Sequence, residues 1–131
     1  MSRATPINEM ADAITKQISK WTQDVADVTK QAVVETTPEA EQELRRNSPR
    51  RVGGGRYANS WDEKTVSENR FKVNNIVYNK KYYRLTHLLE KGHANARGGG
   101  RTPAHPHIGL AEQRAMELLE EKMRQYIHDV S

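Results

Sequence analysis

Histidine, acidic and arginine side chains are the groups of this chain that could do chemistry, and the histidines are the most concentrated. Four of the five histidines lie within one third of the 131 residues: His87, His93, His105 and His107. A zinc site needs three or four ligands at fixed geometry, but the chain has no cysteine and no His-Glu-x-x-His pattern. We therefore predict no metal site and interpret these histidines as solvated or interface side chains, with a histidine–metal hydrolase as the least favoured alternative.

Catalytic and nucleotide-binding patterns are also missing. Catalysis by carboxylates needs paired acids in a cleft, whereas the acids here cluster at 39–43 and 117–121, on the solvated faces of two predicted helices. The two triple glycines are not followed by the Lys-Ser or Lys-Thr of a phosphate-binding loop. We predict a protein that is not an enzyme and that binds no cofactor.

Arginine-rich segments make the best case for a binding partner. Residues 45–56 and 97–101 combine arginines with glycines, which predicts two exposed, mobile loops. Guanidinium groups bind phosphates or carboxylates without reading a base sequence. The predicted contacts to DNA or to a partner protein are Arg50, Arg51, Arg56, Arg97 and Arg101. A net charge of +4, with 17 acidic residues beside 21 basic ones, allows either kind of partner.

The N-terminal third of the chain predicts a long amphipathic helix from Pro6 to about Glu35. Its apolar residues recur at steps of three and four that alternate almost without a break: Ile7, Met10, Ile14, Ile18, Trp21, Val25, Val28 and Ala32. Such a helix would be about 45 Å long, longer than a small domain is wide. We therefore expect part of the stripe to pack on another subunit, with a two-stranded coiled coil as the weaker alternative. Residues 36–38, Thr-Thr-Pro, predict a break before a second short helix that ends near Asn47.

The remaining elements predict a mixed fold. Aromatic and β-branched residues at 57–67 and 71–78 predict an antiparallel hairpin, followed by a short helix at 83–91 that stops at Gly92. A loop over 93–106 then leads to a final helix over about 110–128. The fold class is α+β: a single domain over 1–131, in which the N-terminal helical region (1–47) and the C-terminal helix pack on a small antiparallel sheet, with long polar loops. The predicted core or subunit-interface residues are Ile14, Ile18, Trp21, Val25, Trp61, Leu88, Leu89 and Ile108.

Several short motifs between residues 45 and 125 resemble the tail-completion and head-tail joining proteins of long-tailed bacteriophages. These proteins carry a helix ending in a leucine-acid-glycine cluster, a variable loop, and a proline step into the C-terminal helix. The matching residues here are Leu88, Leu89, Glu90 and Gly92, then Pro106, Ile108 and Ala111. The family's glycine-arginine step into a strand is matched by Gly55, Arg56, Ser60 and Trp61. His107 stands where the family often has an aromatic residue.

The resemblance implies a structural virion protein without catalysis. Such proteins assemble as a homo-oligomeric ring in the phage neck, between a connector or head-closure protein and the tail tube or tail terminator protein, and double-stranded DNA passes through the channel. The protein would be made in the host cytoplasm, and no stretch approaches the roughly 20 apolar residues of a membrane span. The alternative function is a small basic nucleic-acid-binding adaptor. Only 35% of the residues are hydrophobic and the mean hydropathy is −0.92, so stability that comes from oligomerisation fits either function.

Overall fold

A computed structural model describes residues 7–50, 52–94 and 99–130 of the chain. In chain order the elements are α1 (Ile7–Asn47), a 3₁₀ turn (Val52–Gly55), α2 (Arg56–Asn59), β1 (Trp61–Glu68), β2 (Val73–Asn79), a 3₁₀ turn (Tyr83–Leu85), α3 (Thr86–Lys91), β3 (His93–Ala94), β4 (Arg101–Thr102) and α4 (Ile108–Val130). The predicted α+β class is confirmed: two long helices accompany a small antiparallel sheet.

Helix α1 runs without interruption for 41 residues, so the predicted break at 36–38 is wrong. Pro38 lies inside the helix, where proline costs about 3 kcal/mol relative to alanine. The helix continues because α4 holds it on both sides of the proline: Glu35 bonds to α4 before it and Glu43 bonds to α4 after it. The predicted cap at residues 5 and 6 lies outside the described residues.

Strands β1 and β2 form the predicted antiparallel hairpin, in a register that pairs Trp61 with Asn79 and Glu68 with Val73. Its turn is centred on Asn69, whose side-chain oxygen accepts the backbone N–H groups of Phe71 and Lys72 at 2.8 and 3.0 Å. The first strand begins four residues later than predicted. Residues 57–59, which the prediction placed in that strand, lie in α2 instead.

Within 45–56, most of the described residues lie in helical elements rather than in the long loop that the composition predicts. Helix α1 extends to Asn47, and the 3₁₀ turn over Val52–Gly55 leads directly into α2. Gly54 and Gly55 adopt φ values of 64° and 95°, the left-handed region that glycine enters at little cost. These glycines therefore allow the tight turn that leads into α2, with Gly55 at its N-cap position.

The hairpin and α4 pack on opposite faces of α1. On the hairpin side, Lys30 donates to the carbonyl of Asn69 at 2.9 Å, and Thr37 lies 3.2 Å from the amide of Asn75. On the α4 side lie Glu35 and Glu43, roughly half a helical turn away from Lys30 and Thr37. Helix α1 thus lies between the hairpin and α4, and the first residues of α4 also join the sheet in the core at the end of α1.

The predicted loop between α3 and α4 contains two short paired strands. Gly92, with φ of 73°, ends α3 as expected. Beyond it, β3 and β4 pair as a small hairpin, with His93 opposite Thr102 and Ala94 opposite Arg101. Helix α4 begins two residues before the predicted start and ends two residues after the predicted end.

The apolar core lies at the C-terminal end of α1. It consists of Leu44, Tyr57, Trp61 and Ala111, with Val77, Tyr82, Leu89 and Ile108 packed against it. Toward the other end of α1 the packing stops, and every residue from 9 to 22 is exposed. We call residues 9–22 the arm. At about 1.5 Å per residue it projects roughly 20 Å from the rest of the fold.

Candidate functional site

Two regions could carry function, and they lie at opposite ends of α1. One is the arm. The other, which we call the packed end, surrounds Tyr57, Trp61, Glu90 and His107, where α1, α2, β1, β2, α3 and α4 meet. Most residues of the phage-protein resemblance lie at the packed end.

Glu90 of α3 caps the N-terminus of α4. One carboxylate oxygen accepts the backbone N–H groups of His107 and Ile108, both at 2.7 Å, and the other accepts that of Gly109 at 3.0 Å. The first N–H groups of a helix have no partner within the helix, and a negative charge there is favourable. Burial of the carboxyl favours its neutral form, but the three N–H groups and the neighbouring His107 outweigh this and lower the pKa of Glu90.

His107 is fully buried, so the interpretation of this histidine as solvated is wrong. Its Nδ1 lies 2.6 Å from the carbonyl oxygen of His105 and 3.1 Å from the Glu90 carboxylate. Both partners are acceptors, so Nδ1 carries a proton. Nε2 lies 2.8 Å from the hydroxyl of Tyr57 and accepts a hydrogen bond from it when the ring is neutral. The imidazole therefore joins α2 to the start of α4.

His105 stays on the surface but is not free. Its Nε2 lies 3.0 Å from the carbonyl oxygen of Asn47 at the end of α1, and its backbone N–H donates to Leu89 at 2.8 Å. The two histidines therefore fasten the segment before α4 to α1 and α3. Neither was predicted to have this structural role.

Aromatic rings surround His107. The ring of Tyr57 lies edge-on to it at 5.6 Å between centroids, and Trp61 lies 6.3 Å away. The indole N–H of Trp61 donates to the hydroxyl of Ser48 at 2.7 Å. Burial, with a smaller effect from the charge of Glu90, raises the pKa of Tyr57, so its phenol stays protonated as a donor. His107 thus fills a place in an aromatic cluster, consistent with its position in the sequence motif.

Arg45 is also used inside the subunit rather than for a partner. Its guanidinium donates to the carbonyl oxygen of Trp61 at 2.5 Å and to that of Asn59 at 3.3 Å. The same guanidinium bonds to Glu41 at 2.8 Å. Glu41 in turn faces Glu63 of β1, whose pKa is raised by burial first and then by the charge and hydrogen bond of Glu41. This pair of acids, which sequence reasoning missed, belongs to the contact between α1 and β1.

Basic side chains gather on the surface of the packed end. Arg56, Lys80 and Lys81 line one cleft, with Asp62 as the acid among its lining residues. All three cations are exposed, as are Arg50 and Arg101. Within residues 7–50, 52–94 and 99–130, no ion pair involves any of these five. Sequence reasoning missed the two lysines because they follow a strand rather than a glycine-rich loop.

The predicted arginine contacts are partly accounted for. Arg50 donates to the carbonyl oxygen of Arg45 at 3.1 Å, and Arg56 starts α2. Arg101 lies in β4. Arg51 and Arg97 lie outside the described residues.

The predicted core or interface residues divide into two groups. Trp61 is buried, and Leu89 and Ile108 pack against the core. Five others are not in it: Ile14, Ile18 and Trp21 are between 54% and 58% exposed, Leu88 is 40% exposed, and Val25 is half-buried beside the arm. For these five, a place in a subunit interface stays a prediction.

The described part of the chain has neither a candidate metal site nor a candidate membrane-spanning helix. No group of three or more His, Cys, Asp or Glu among those residues is arranged to hold a metal ion. Nor is any described helix long and apolar enough to cross a membrane.

Comparison with known proteins gives one family. The model of the HK97-gp10-like family, described as "Bacteriophage HK97-gp10, putative tail-component", matches residues 6–92. The match includes α1, which the short motifs did not cover, and it ends at Gly92, before α4. Neither the comparison with curated proteins nor that with solved structures finds a match.

Proposed function

Because this chain belongs to the HK97-gp10-like family of bacteriophage tail components, we propose that it is a subunit of a ring in the phage neck. The ring joins the connector or head-closure protein to the tail tube or tail terminator protein and lets double-stranded DNA pass through. The family match supports a structural component related to phage tails, and the position in the neck is the proposal.

The main support for a ring is the exposed apolar surface of the arm. Met10, Ile14, Ile18 and Trp21 are each about half exposed and lie on one face of a helix that extends past the rest of the subunit. Soluble monomers rarely expose contiguous apolar patches of large size, and such patches mark interaction surfaces. A free subunit with a bare apolar arm is therefore suited to assembly, and the low apolar content of the chain adds to the benefit of association.

The basic surface of the packed end supports the second half of the proposal. Five exposed cations, Arg50, Arg56, Lys80, Lys81 and Arg101, stand without an ion pair among the described residues. They bind phosphates of the DNA or carboxylates of the adjoining ring, together with Arg51 and Arg97. Binding of this kind positions the backbone of the DNA and does not read its bases.

The direct test is the mass of the assembled particle. Sedimentation of the full-length chain, alone and with the connector protein of the same phage, is expected to show an oligomer, and electron microscopy is expected to show a ring. A strictly monomeric chain under both conditions and in virions contradicts the proposal. Because apolar surfaces hold the ring, it is expected to survive high salt.

The second candidate, a nucleic-acid-binding adaptor, is favoured by the same five cations. Salt separates the two functions, because phosphate-dominated binding weakens steeply as ionic strength rises. Lys80→Ala with Lys81→Ala is expected to weaken DNA binding and to lower the slope of its salt dependence by about one for each phosphate that the variant no longer binds. Lys16→Ala with Lys20→Ala in the arm is the matched control, and it removes the same charge from the opposite end. Tight DNA binding by a chain that never assembles would favour the adaptor.

A further inference from the structure

Two apolar stripes lie on the outside of the helices. The arm stripe consists of Met10, Ile14, Ile18 and Trp21, and the α4 stripe consists of Met116, Leu119, Met123 and Ile127. The four residues of the α4 stripe line one open groove along α4. Met116 is 62% exposed, and the other three are half-buried.

The arm stripe continues the face of α1 that already packs on α4. From Trp21 the same face passes through Val25 and Val28 to Ala32, which is fully buried, and Glu35, which bonds to Tyr126 of α4. The two helices run antiparallel, and α4 ends at Val130, about one turn beyond Tyr126. The arm therefore continues, beyond the packed part of α1, the kind of surface that packs on α4.

The two stripes match in length, and both are apolar. Each stripe spans twelve residues of its helix, from 10 to 21 and from 116 to 127, which is about 17 Å. Charged residues also line the groove of the α4 stripe, and two of them, Glu120 and Arg124, pair with each other at 2.6 Å. The charged residues between Met10 and Trp21 are Asp12, Lys16 and Lys20. On a regular helix Asp12 and Lys16 lie opposite the arm stripe and Lys20 lies at its flank, so the stripe can be buried without stranding a charge. Two of the four α4 residues are methionines, whose flexible side chains adapt to a packed neighbour.

We propose that the arm stripe of one subunit packs on the α4 stripe of a second copy of this chain. The proposal rests on the proposed ring and names the surfaces that build it. Two different patches meet in this contact, so it is heterologous, and each subunit keeps one free patch to continue the series until it closes. Pairing of two arms would instead stop at a dimer and leave the α4 stripe uncovered.

Complementation between two single variants tests this arrangement. Ile18→Asp places a charge in the arm stripe, and Met116→Asp places one in the α4 stripe; both positions are more than half exposed in the subunit. Each variant alone is expected to lose self-association by more than about 30-fold, as for a central interface residue. An equimolar mixture is expected to form one-to-one dimers, because one partner keeps an intact arm and the other keeps an intact α4 stripe.

The controls separate a failed contact from a failed fold. Circular dichroism and the urea midpoint of each dilute variant are expected to match those of the native chain. Lys16→Asp, which changes the charge of the arm on the opposite face, is expected to assemble as the native chain does. All species are measured by sedimentation velocity.

Other results overturn the arrangement in identifiable ways. If Met116→Asp alone still associates, the arms pair with each other; if Ile18→Asp alone still associates, the α4 stripes do. If the native chain forms a ring that neither variant disturbs, the proposed contact is wrong but the proposed ring is supported. If the native chain is monomeric under every condition, the proposed ring fails together with the contact.

Discussion

The two ends of α1 differ in what surrounds them, although one unbroken helix joins them. At the packed end, buried polar groups such as His107, Asn79 and Ser48 are hydrogen-bonded, and aromatic rings fill the space between elements. In the arm, large apolar side chains are about half exposed to solvent. A satisfied polar network inside a core favours one geometry, because each bond has a defined partner. An apolar stripe without such bonds provides affinity, and the geometry of its contact depends on the shape of the neighbouring surface.

The difference explains why the stability of the subunit and its assembly can be changed separately. The small core holds α1, the hairpin, α3 and α4 together at one end of the molecule. The arm contributes no buried residue between positions 9 and 22, so its substitution affects the partner more than the fold.

The largest expected effect comes from the same substitution made at the two tryptophans. Trp61 is 4% exposed and Trp21 is 58% exposed. Trp61→Ala is expected to lower the free energy of unfolding by about 3 to 5 kcal/mol, because it leaves a cavity and removes the indole N–H that donates to the Ser48 hydroxyl. Trp21→Ala is expected to change it by less than about 0.5 kcal/mol in the dilute subunit. Urea unfolding followed by circular dichroism measures both, and equal losses would remove the contrast between the two ends.

Glu90→Gln is expected to have the next largest effect. The amide keeps the size of the side chain but loses the charge, and it cannot accept all three N–H groups at the start of α4 equally well. The expected loss is about 1.5 to 3 kcal/mol of unfolding free energy, the range for hydrogen bonds to charged groups. Glu121→Gln, at an exposed position of α4, is the matched control and should change stability by less than about 0.5 kcal/mol. Similar values for the two variants would show that the cap is not important for stability.

The pH dependence of that loss is a smaller effect. The pKa of Glu90 is lowered in the folded protein, so its ionised form contributes stability that is fully present above the unfolded pKa, near 4.5. This contribution disappears as the pH falls from about 4.5 through the lower, folded pKa. The native chain and Glu90→Gln should therefore differ most near neutral pH and converge in acid. Glu35, Glu43 and Glu63 also titrate with shifted pKa values, but they are common to both proteins and cancel in the difference. A constant difference between neutral pH and strong acid would contradict the assignment.

Local patterns predicted the elements better than the contacts between them. Helical periodicity placed α1 and α4, and the glycine rule placed the end of α3 at Gly92. The break expected at residues 36–38 did not occur, because packing against α4 on both sides outweighs the cost of one proline. Tyr57 was assigned to a strand because aromatic residues favour strands, but its ring is buried from the short helix α2.

The packed end was identified through its residues but not through its function within the fold. The motif that ends in Glu90 and Gly92 was recognised, yet that Glu90 caps a helix 18 residues later follows only from tertiary structure. Likewise, nothing local to His107 shows that it is buried. Variants that replace both His105 and His107 with alanine, which the solvated interpretation expects to fold normally, are now expected to be destabilised by the loss of the Tyr57 partner. The partners of polar side chains that lie far apart in the sequence cannot be read from a single sequence.

The smallest effect on stability is expected for Ile14→Ala, and it sharpens the comparison most. Ile14 is 54% exposed in the arm, so its removal opens no cavity in the dilute subunit. Alanine has a higher helix propensity than isoleucine, so the unfolding free energy should rise by about 0.4 kcal/mol at most. Self-association should weaken at the same time, because the arm stripe loses apolar surface. Urea unfolding at high dilution and sedimentation at high concentration measure the two quantities on one sample. A loss of about 2 kcal/mol in the dilute subunit would mean that Ile14 is already buried there, and the arm would then belong to the core of the subunit rather than to its neighbour.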